Sequence, residues 1–507
     1  MLSLRLKNFR SLVDTGRIEL RPLTVLVGAN SSGKSSFLRF FPLLRQTYKK
    51  SAASPLLWFA DPGLDFGDFS KVVRRGADPR EIEVEIEIVL PRLGGSRGAT
   101  EWSTPLPLRI NTFLNEEDGK TYVRRCVLTC YDDVCELEFR DRRGVAMWRI
   151  NHLNVVERPL SSSPTSRFEL YASQSLIPRI SPGDATFIKA PFRFIEEELH
   201  ETITQIAYPE HDGEDLSWIA DGIAYGSPDD VLEQLRAQDL GDVWHHRVLA
   251  MTTSSPEFLR LKTLFFASWF NSLTEMVGWE LESQADTMVY LGPFRAPPAR
   301  FYRRQELSVR HMDPEGGNLA MFLHELSPTQ LDAFSEFMFE NVGFRVRLET
   351  QGSNISILLE DARGQSDNLI DMGYGFSQVL PVIAQCWAAS SGFRPSEREP
   401  LPNLIAIEQP ELHLHPHYQA KLADMFVGTI HAARAAVLET PTLLVETHSN
   451  ALVSRLGELV ETGKLDAKDV QVLLFEQDDV TRGTSVRQFT FSPEGTFKNW
   501  PIGFFAP

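Results

Sequence analysis

The sequence predicts an α/β protein built around a phosphate-binding loop, and three observations lead to this fold class. Residues 28–35 (GANSSGKS) match the G-x-x-x-x-G-K-[ST] pattern, between a short apolar strand and a helical run. Two later apolar strands, near residues 404–407 and 443–445, each run into a glutamate. Residues 81–90 alternate charged and apolar types, which predicts an antiparallel strand with one buried face and one face in water. Together these patterns predict a mixed central sheet with an antiparallel β lobe.

The residue types of the loop fit the binding of a nucleotide phosphate. Its glycines let the backbone turn N–H groups inward around an anion. Lys34 is expected to reach the β- and γ-phosphates of ATP, and the Ser35 hydroxyl is expected to hold Mg²⁺. The predicted nucleotide-binding residues of this segment are Gly28, Ala29, Asn30, Ser31, Ser32, Gly33, Lys34, Ser35 and Ser36.

Length and composition limit the remaining choices. A chain of 507 residues is expected to form two or more domains, or one domain with a large insertion. The formal net charge of −17 argues against a protein whose whole surface is basic and binds nucleic acid. It does not exclude a local basic groove. Four cysteines and the lack of a long apolar run predict a cytoplasmic protein without a membrane segment.

The chain divides into three predicted segments. Residues 1–90 and 291–507 are expected to form the two parts of one nucleotide-binding head, and residues 91–290 an insertion of strands followed by helices. Within the insertion, three cysteines of a predicted hairpin lack zinc-ligand spacing and are interpreted as buried thiols. At residues 292–304, four arginines and three prolines share one loop, which either contacts phosphates or a partner, or braces a domain junction.

Four positions in the C-terminal part complete a predicted catalytic site. Ser377 is flanked by glycine before a helical run, Glu408 ends an apolar strand, and His448 follows another. A carboxylate at the end of such a strand is expected to reach Mg²⁺ directly or through water, which makes Ser35 and Glu408 the predicted metal ligands. Glu411 is a further candidate catalytic carboxylate.

These motifs, in this order, resemble ABC-type ATPase heads of the SMC, RecF and OLD kind. The resemblance implies that Ser377 belongs to a signature motif that faces the nucleotide of a second protomer, and therefore that the protein forms a homodimer or higher oligomer. It also implies that His448 contacts the γ-phosphate. With the tail at residues 500–505, the segments 292–295, 407–416 and 446–449 resemble a standalone bacterial branch related to ATPase subunits of anti-phage systems such as Septu.

One residue departs from typical ABC-type heads. In those heads the acidic residue at the end of the Walker B strand, here Glu408, is usually followed by a glutamate that polarises the attacking water. In this chain the following residue is Gln409. An amide is a very poor proton acceptor, and loss of a positioned base typically removes about 10²–10⁴ of rate. The favoured interpretation is slow hydrolysis with ATP mainly holding a closed dimer; the alternative is that Glu411 takes the role of base.

The sequence therefore predicts an ATP- and Mg²⁺-dependent ATPase that dimerises on ATP and regulates an effector, such as a nuclease or toxin, in anti-phage defence. The defence role comes from the resemblance alone. Two alternatives remain open. One is a DNA-repair or recombination ATPase of the RecF or SMC type, and the other is a nucleotide-gated scaffold that does not hydrolyse ATP.

Overall fold

The computed structural model describes residues 1–50, 54–61, 64–90, 105–142, 145–155, 169–171, 175–181, 190–207, 219, 223–238, 241–305, 309, 311–394 and 400–500. All the predicted site residues lie within these ranges. Of the tail that contributes to the family resemblance, residues 501–505 lie outside them.

Strands and helices alternate along the C-terminal half, whereas strands dominate the first 155 residues. The described strands are β1 (Ser3–Phe9), β2 (Leu12–Asp14), β3 (Ile18–Glu19), β4 (Leu23–Gly28), β5 (Phe59–Asp61), β6 (Leu64–Asp65), β7 (Ile82–Leu90), β8 (Leu106–Glu117), β9 (Lys120–Cys130), β10 (Asp133–Phe139), β11 (Val145–Ile150), β12 (Leu153–Asn154), β13 (Glu169–Tyr171), β14 (Arg179–Ser181), β15 (Met288–Leu291), β16 (Tyr302–Arg303), β17 (Arg345–Gln351), β18 (Asn354–Glu360), β19 (Ser366–Asn368), β20 (Leu404–Glu408), β21 (Thr442–Glu446), β22 (Val470–Gln477) and β23 (Thr484–Phe489).

The described α-helices are α1 (Lys34–Leu38), α2 (Phe40–Lys49), α3 (Phe69–Val72), α4 (Ala190–Ala207), α5 (Pro228–Arg236), α6 (Asp242–Ala250), α7 (Pro256–Asp286), α8 (Leu319–Glu325), α9 (Pro328–Val342), α10 (Tyr374–Ser391), α11 (Pro416–Ala435) and α12 (Asn450–Glu461). Two of these helices begin with a capping box: Ser227 pairs with Asp230, and Ser327 pairs with Gln330. No helix in the described ranges combines the length and apolar character needed to cross a bilayer.

The chain forms two compact units. Unit 1 comprises residues 1–9, 47–59 and 66–283, and unit 2 comprises residues 10–46, 60–65 and 284–507. The predicted segments do not coincide with these units: residues 1–9, 47–59 and 66–90 belong to unit 1, and residues 284–290 belong to unit 2. Residues 82–90 lie with the strands that follow them because β7 pairs with β8 along its whole length.

Unit 1 contains an antiparallel sheet with the strand order β12-β11-β10-β9-β8-β7-β1. The predicted antiparallel pairing of residues 81–90 is confirmed, but the prediction that their charged face lies in water is wrong. Glu83 and Glu85 are buried because β1 places basic residues opposite them. Glu83 pairs with Lys7 at 3.6 Å, and Glu85 pairs with Arg5 at 3.8 Å. Charge pairing across strands therefore lets carboxylates occupy buried positions of this sheet.

The three cysteines of the predicted hairpin lie on β9 and β10 of this sheet. Cys126, Cys130 and Cys135 are buried free thiols, as the sequence predicts. Burial raises the pKa of Cys126 to about 12, which keeps its thiol protonated at neutral pH.

Unit 2 contains a mixed sheet with the strand order β2-β23-β22-β4-β21-β20-β15. The strands β22, β4, β21, β20 and β15 are parallel neighbours, and β23 runs antiparallel to β22. Alternate residues of the parallel strands, such as Val25, Ile407 and Val445, belong to one hydrophobic core with apolar residues of α8 to α12. The α/β class, the mixed sheet and the strand–loop–helix context of residues 28–35 are thus confirmed.

Candidate active site

The phosphate loop connects β4 to α1 and needs glycine at both ends. Gly28 and Gly33 have φ angles of 156° and 93°. A Cβ atom at Gly28 would lie 2.6 Å from the carbonyl oxygen of Phe475, and one at Gly33 would lie 2.7 Å from Ser11 Oγ. A side chain at either position would therefore displace the neighbouring backbone or hydroxyl, and the loop would lose its shape.

Lys34 is buried against its own loop. Its Nζ atom donates hydrogen bonds to the carbonyl oxygens of Gly28 (3.0 Å) and Ala29 (2.8 Å), and lies 3.9 Å from Glu446 Oε1. Burial lowers the pKa of Lys34, while Glu446, Glu411 and Glu408 oppose that shift. The Lys34 ammonium thus lies between the carbonyl groups of the loop and the glutamates at the strand ends. An anion bound in the loop would contact it there.

The carboxyl ends of three parallel strands meet beside this loop. Strand β21 lies between β4 and β20, and Glu408 of β20 is in register with Glu446 of β21. Backbone bonds join the ends: the Gln409 N–H donates to the Glu446 carbonyl (2.8 Å), and the Thr447 N–H to the Leu26 carbonyl (3.0 Å). The structure thereby brings the predicted loop, the Glu408–Gln409 strand end and the segment of His448 together.

Glu408, which is predicted to serve the metal site of Ser35, is hydrogen-bonded by two other side chains. Its Oε1 accepts hydrogen bonds from Arg39 Nε (2.6 Å) and Tyr290 OH (2.9 Å), and its Oε2 accepts one from Arg39 Nη2 (2.8 Å). The hydrogen bonds to Glu408 raise the pKa of Arg39. Burial, and after it the negative charge of Glu408, raises the pKa of Tyr290. Both oxygens are therefore occupied by side chains that the sequence analysis did not single out.

Glu446 is the carboxylate that contacts Ser35. The Ser35 hydroxyl donates to Glu446 Oε1 at 2.9 Å, whereas Glu446 Oε2 is buried without a hydrogen-bond partner in the described part of the chain. Burial, and then the charge of Glu408, raises the pKa of Glu446 to about 7. The sequence signal was present, because Glu446 ends an apolar strand as Glu408 does.

Glu411 fixes the backbone at the predicted switch histidine. The carboxylate is 6% exposed, and its Oε1 accepts the His448 N–H at 2.7 Å. Burial raises the pKa of Glu411. The His448 side chain is exposed, and partial burial followed by the charge of Lys34 lowers its pKa. A mainly neutral imidazole at neutral pH therefore lies near the loop lysine.

Arg295 supplies a buried cation behind the two strand ends. Its Nη2 donates to the Glu408 carbonyl at 2.9 Å, and its backbone N–H donates to Gln378 Oε1 at 3.2 Å. Burial lowers the pKa of Arg295 to about 10. These contacts lie within unit 2, and the Nε and Nη1 atoms of Arg295 are buried without a hydrogen-bond partner in the described residues, so both interpretations of the arginine-rich loop stay predictions.

Ser377 lies in the first turn of α10, which begins at Tyr374. The side chain is 4% exposed, and its hydroxyl donates to the Tyr374 carbonyl at 2.8 Å. The exposed side chain of this turn is that of Tyr374 instead. Contact between Ser377 and a second protomer's nucleotide stays a prediction, and the hydroxyl must leave the Tyr374 carbonyl to make it.

Two family models match parts of the chain. The model of an "AAA ATPase domain" matches residues 1–96, and the model described as "AAA domain, putative AbiEii toxin, Type IV TA system" matches residues 229–454. Both are AAA domains. The matches support an AAA-family ATPase, in agreement with the phosphate loop. Among curated proteins, none matches the chain.

Solved structures similar to this chain are heads of SMC proteins. The Smc head domain of Pyrococcus furiosus, bound to the C-terminal domain of ScpA, is 12% identical with a TM-score of 0.33, and 96% of each chain is covered. The SMC head domain from Thermotoga maritima is 10% identical with a TM-score of 0.33, covering 96% of this chain and 97% of that one. At these identities and TM-scores, the assignment of chemistry rests on the geometry of the site itself.

Proposed function

We propose that this protein binds ATP with Mg²⁺ at the phosphate loop and hydrolyses it slowly. The observation that carries this proposal is the meeting of Lys34 and Ser35 with Glu446, beside the strand end of Glu408. A glycine-containing loop before a helix, a lysine, a hydroxyl and buried carboxylates form the set that a nucleoside triphosphate with a divalent cation requires.

The residues fit such a cation because a buried carboxylate oxygen without a partner lies next to the Ser35 hydroxyl. When bound, Mg²⁺ would neutralise charge on the phosphates. Lys34 would exchange its loop carbonyls for phosphate oxygens. His448, mainly neutral and near Lys34, would donate a hydrogen bond to charge that develops on the γ-phosphate. Gln409 can orient a water molecule but accepts a proton poorly, which makes turnover slow.

The direct test is release of inorganic phosphate from ATP over many turnovers. We expect slow release by the wild type and background release by Lys34→Ala, since the cationic contact to the phosphates is lost. Lys464→Ala, which removes an exposed lysine of the same unit, is the matched control and should behave as wild type. Equal release by wild type and Lys34→Ala would contradict the proposal.

The same assay separates the two other functions that the sequence allows. Strong stimulation by DNA, together with DNA binding that weakens steeply with salt, would favour a repair or recombination ATPase. Tight ATP binding without phosphate release beyond a single turnover would favour a nucleotide-gated scaffold.

We further propose that ATP closes two copies of the protein into a dimer through the surface around the start of α10. Two exposed aromatic residues, Phe294 and Phe301, lie near the start of α10. They are placed there because the residue next to each of them in sequence contacts α10 or the segment just before it. Arg295 bonds to Gln378, and Arg300 pairs with Asp371 at 2.7 Å. Phe294 is 83% exposed and Tyr374 is 52% exposed. Exposed aromatic side chains of this kind are typical anchors of protein interfaces.

Phe294→Glu is expected to weaken the ATP-dependent dimer by about tenfold or more, because it places a charge where an aromatic anchor is to be buried. Sedimentation velocity with ATP and Mg²⁺ measures the dimer, and nucleotide binding by the monomer should be unchanged. Val437→Glu, at a 92% exposed position after α11, is the control and should dimerise as wild type. Unaltered dimerisation of Phe294→Glu would place the interface elsewhere.

Control of an effector in anti-phage defence is the broadest part of the proposal. Its support is the family resemblance of the motifs, and the toxin–antitoxin wording of the family model that matches residues 229–454. Cells that carry the gene with its neighbouring reading frames should reduce phage plaque formation, and Lys34→Ala should abolish the reduction. Equal plaque counts with and without the intact genes would contradict this role.

A further inference from the structure

We propose that Glu446, rather than Glu408, supplies the protein carboxylate that binds the divalent cation together with Ser35. This inference rests on the proposed nucleotide-binding function and assigns a ligand within that site. It reverses the prediction from sequence, which gave this role to Glu408 because it ends the strand before Gln409.

The two glutamates are a natural comparison because they share a register but not their surroundings. Glu408 and Glu446 lie opposite each other at the ends of β20 and β21, and both side chains are almost fully buried. A difference in role must therefore come from the groups around each carboxylate, because the two side chains are buried to a similar extent.

Both carboxylate oxygens of Glu408 already accept hydrogen bonds. Arg39 binds both of its oxygens in a two-pronged contact, and Tyr290 donates a third hydrogen bond. Two-pronged arginine–carboxylate pairs are among the strong hydrogen-bonded contacts of proteins. A metal ion bound by Glu408 would compete with this pair for the same oxygens and weaken the contact to Arg39, whose side chain is 31% exposed.

Glu446 has an oxygen that lacks a donor, and it faces the hydroxyl that the phosphate-loop motif assigns to Mg²⁺. Its Oε1 is 2.9 Å from Ser35 Oγ, and its Oε2 is buried with no hydrogen bond in the described residues. Lys34 does not satisfy this oxygen, since its closest approach is 3.9 Å, to Oε1, and its hydrogen bonds go to loop carbonyls.

A buried carboxylate oxygen without a donor costs free energy, and a cation would offset that cost. Serine hydroxyl and carboxylate oxygens are ligands that Mg²⁺ prefers. Glu408, with Arg39, Tyr290 and Arg295, then serves as a positioning residue that holds the strand ends.

The test compares Glu446→Gln with Glu408→Gln in the full-length chain, using a fluorescent ATP analogue. Affinity is measured in EDTA and in Mg²⁺, and the ratio of the two affinities is the gain due to metal. We expect Glu446→Gln to lower this gain by about 10–100-fold while affinity in EDTA stays close to wild type. Glu408→Gln should keep most of the gain, and lower the melting temperature because Arg39 loses its charged partner.

A second readout follows the metal itself. Mn²⁺, titrated into the nucleotide-loaded protein and followed by electron paramagnetic resonance, should bind more weakly to Glu446→Gln than to wild type or Glu408→Gln. If Glu446→Gln does not fold, as judged by circular dichroism, Glu446→Asp replaces it. That variant keeps the charge but withdraws the carboxylate, and should lose part of the metal gain.

Two results would overturn the inference. One is an unaltered metal gain in Glu446→Gln, whether its affinities in EDTA and in Mg²⁺ stay the same or fall equally. The other is a gain that is lost in Glu408→Gln alone. A wild type that binds no nucleotide in either condition would instead refute the proposed function on which the inference rests.

Discussion

Gln409→Glu is expected to raise the rate of ATP turnover by about 10²–10⁴-fold, the range that one positioned base contributes. Gln409 directly follows β20, with a φ of 43°, and its N–H is bonded to the Glu446 carbonyl at 2.8 Å. This bond fixes the backbone whichever side chain is present. The change therefore exchanges an amide for a carboxylate of nearly the same shape, at the position where typical ABC-type heads carry their glutamate. Steady-state phosphate release measures the effect.

Two variants control this experiment. Gln409→Ala should turn over no faster than the wild type, because alanine supplies neither a base nor a group that orients the water molecule. Glu411→Gln should slow turnover only modestly, since a glutamine oxygen can still accept the His448 N–H. A wild type that is already fast, and is slowed only by Glu411→Gln, would show that Glu411 is the base and that the preference for slow hydrolysis is wrong.

The parts of the site that the sequence predicts are those encoded by contiguous residues. The loop at Gly28 to Ser35, the strand end at Glu408 and the position of His448 each depend on a local pattern, and unit 2 brings them together. Glu446 also ends an apolar strand, but the local pattern of that strand points to the histidine that follows it and assigns no role to the glutamate. Its role depends on which strand lies beside β4, and sheet order is not a local property.

Pairings over long sequence separations could not be predicted. Arg39 and Glu408 are 369 residues apart, and no pattern around either residue indicates the other. The burial of Glu83 was missed for the same physical reason. Alternation predicts which residues share a face of a strand, but the neighbouring strand decides whether a charged face meets water or meets Lys7.

Unit 1 contains a buried ion pair whose disruption is expected to have the largest effect on stability. Asp133 Oδ2 lies 2.8 Å from Lys262 Nζ and accepts a hydrogen bond from Tyr225 OH at 2.6 Å. Asn151 donates to its other oxygen at 2.8 Å. Asp133 and Lys262 are each only 2% exposed, and burial followed by the charge of Asp133 raises the pKa of Tyr225. The carboxylate is thus the counter-charge of a lysine that water does not reach.

Asp133→Asn is therefore expected to lower the free energy of unfolding by about 3–5 kcal/mol, measured by urea unfolding followed by circular dichroism. The amide keeps the shape and its oxygen can still accept from Tyr225, although its nitrogen cannot accept from Asn151. Most of the loss is therefore expected from leaving the Lys262 ammonium buried without an opposite charge. Glu138→Gln, on the same strand, is the matched control. Its carboxylate is 33% exposed and pairs with Arg124 at 2.8 Å, and such surface pairs contribute about 0–1 kcal/mol.

The double variant Asp133→Asn/Lys262→Met distinguishes a charge effect from a packing effect. If the unpaired ammonium is the cause, removing it should restore most of the lost stability, because replacing both members of a buried pair is often close to neutral. If Asp133 acts mainly by holding Tyr225 and Asn151 in place, the double variant should be no more stable than Asp133→Asn. The first outcome is expected, since an asparagine side chain preserves an acceptor for Tyr225, whereas no neutral group replaces the charge that Lys262 loses.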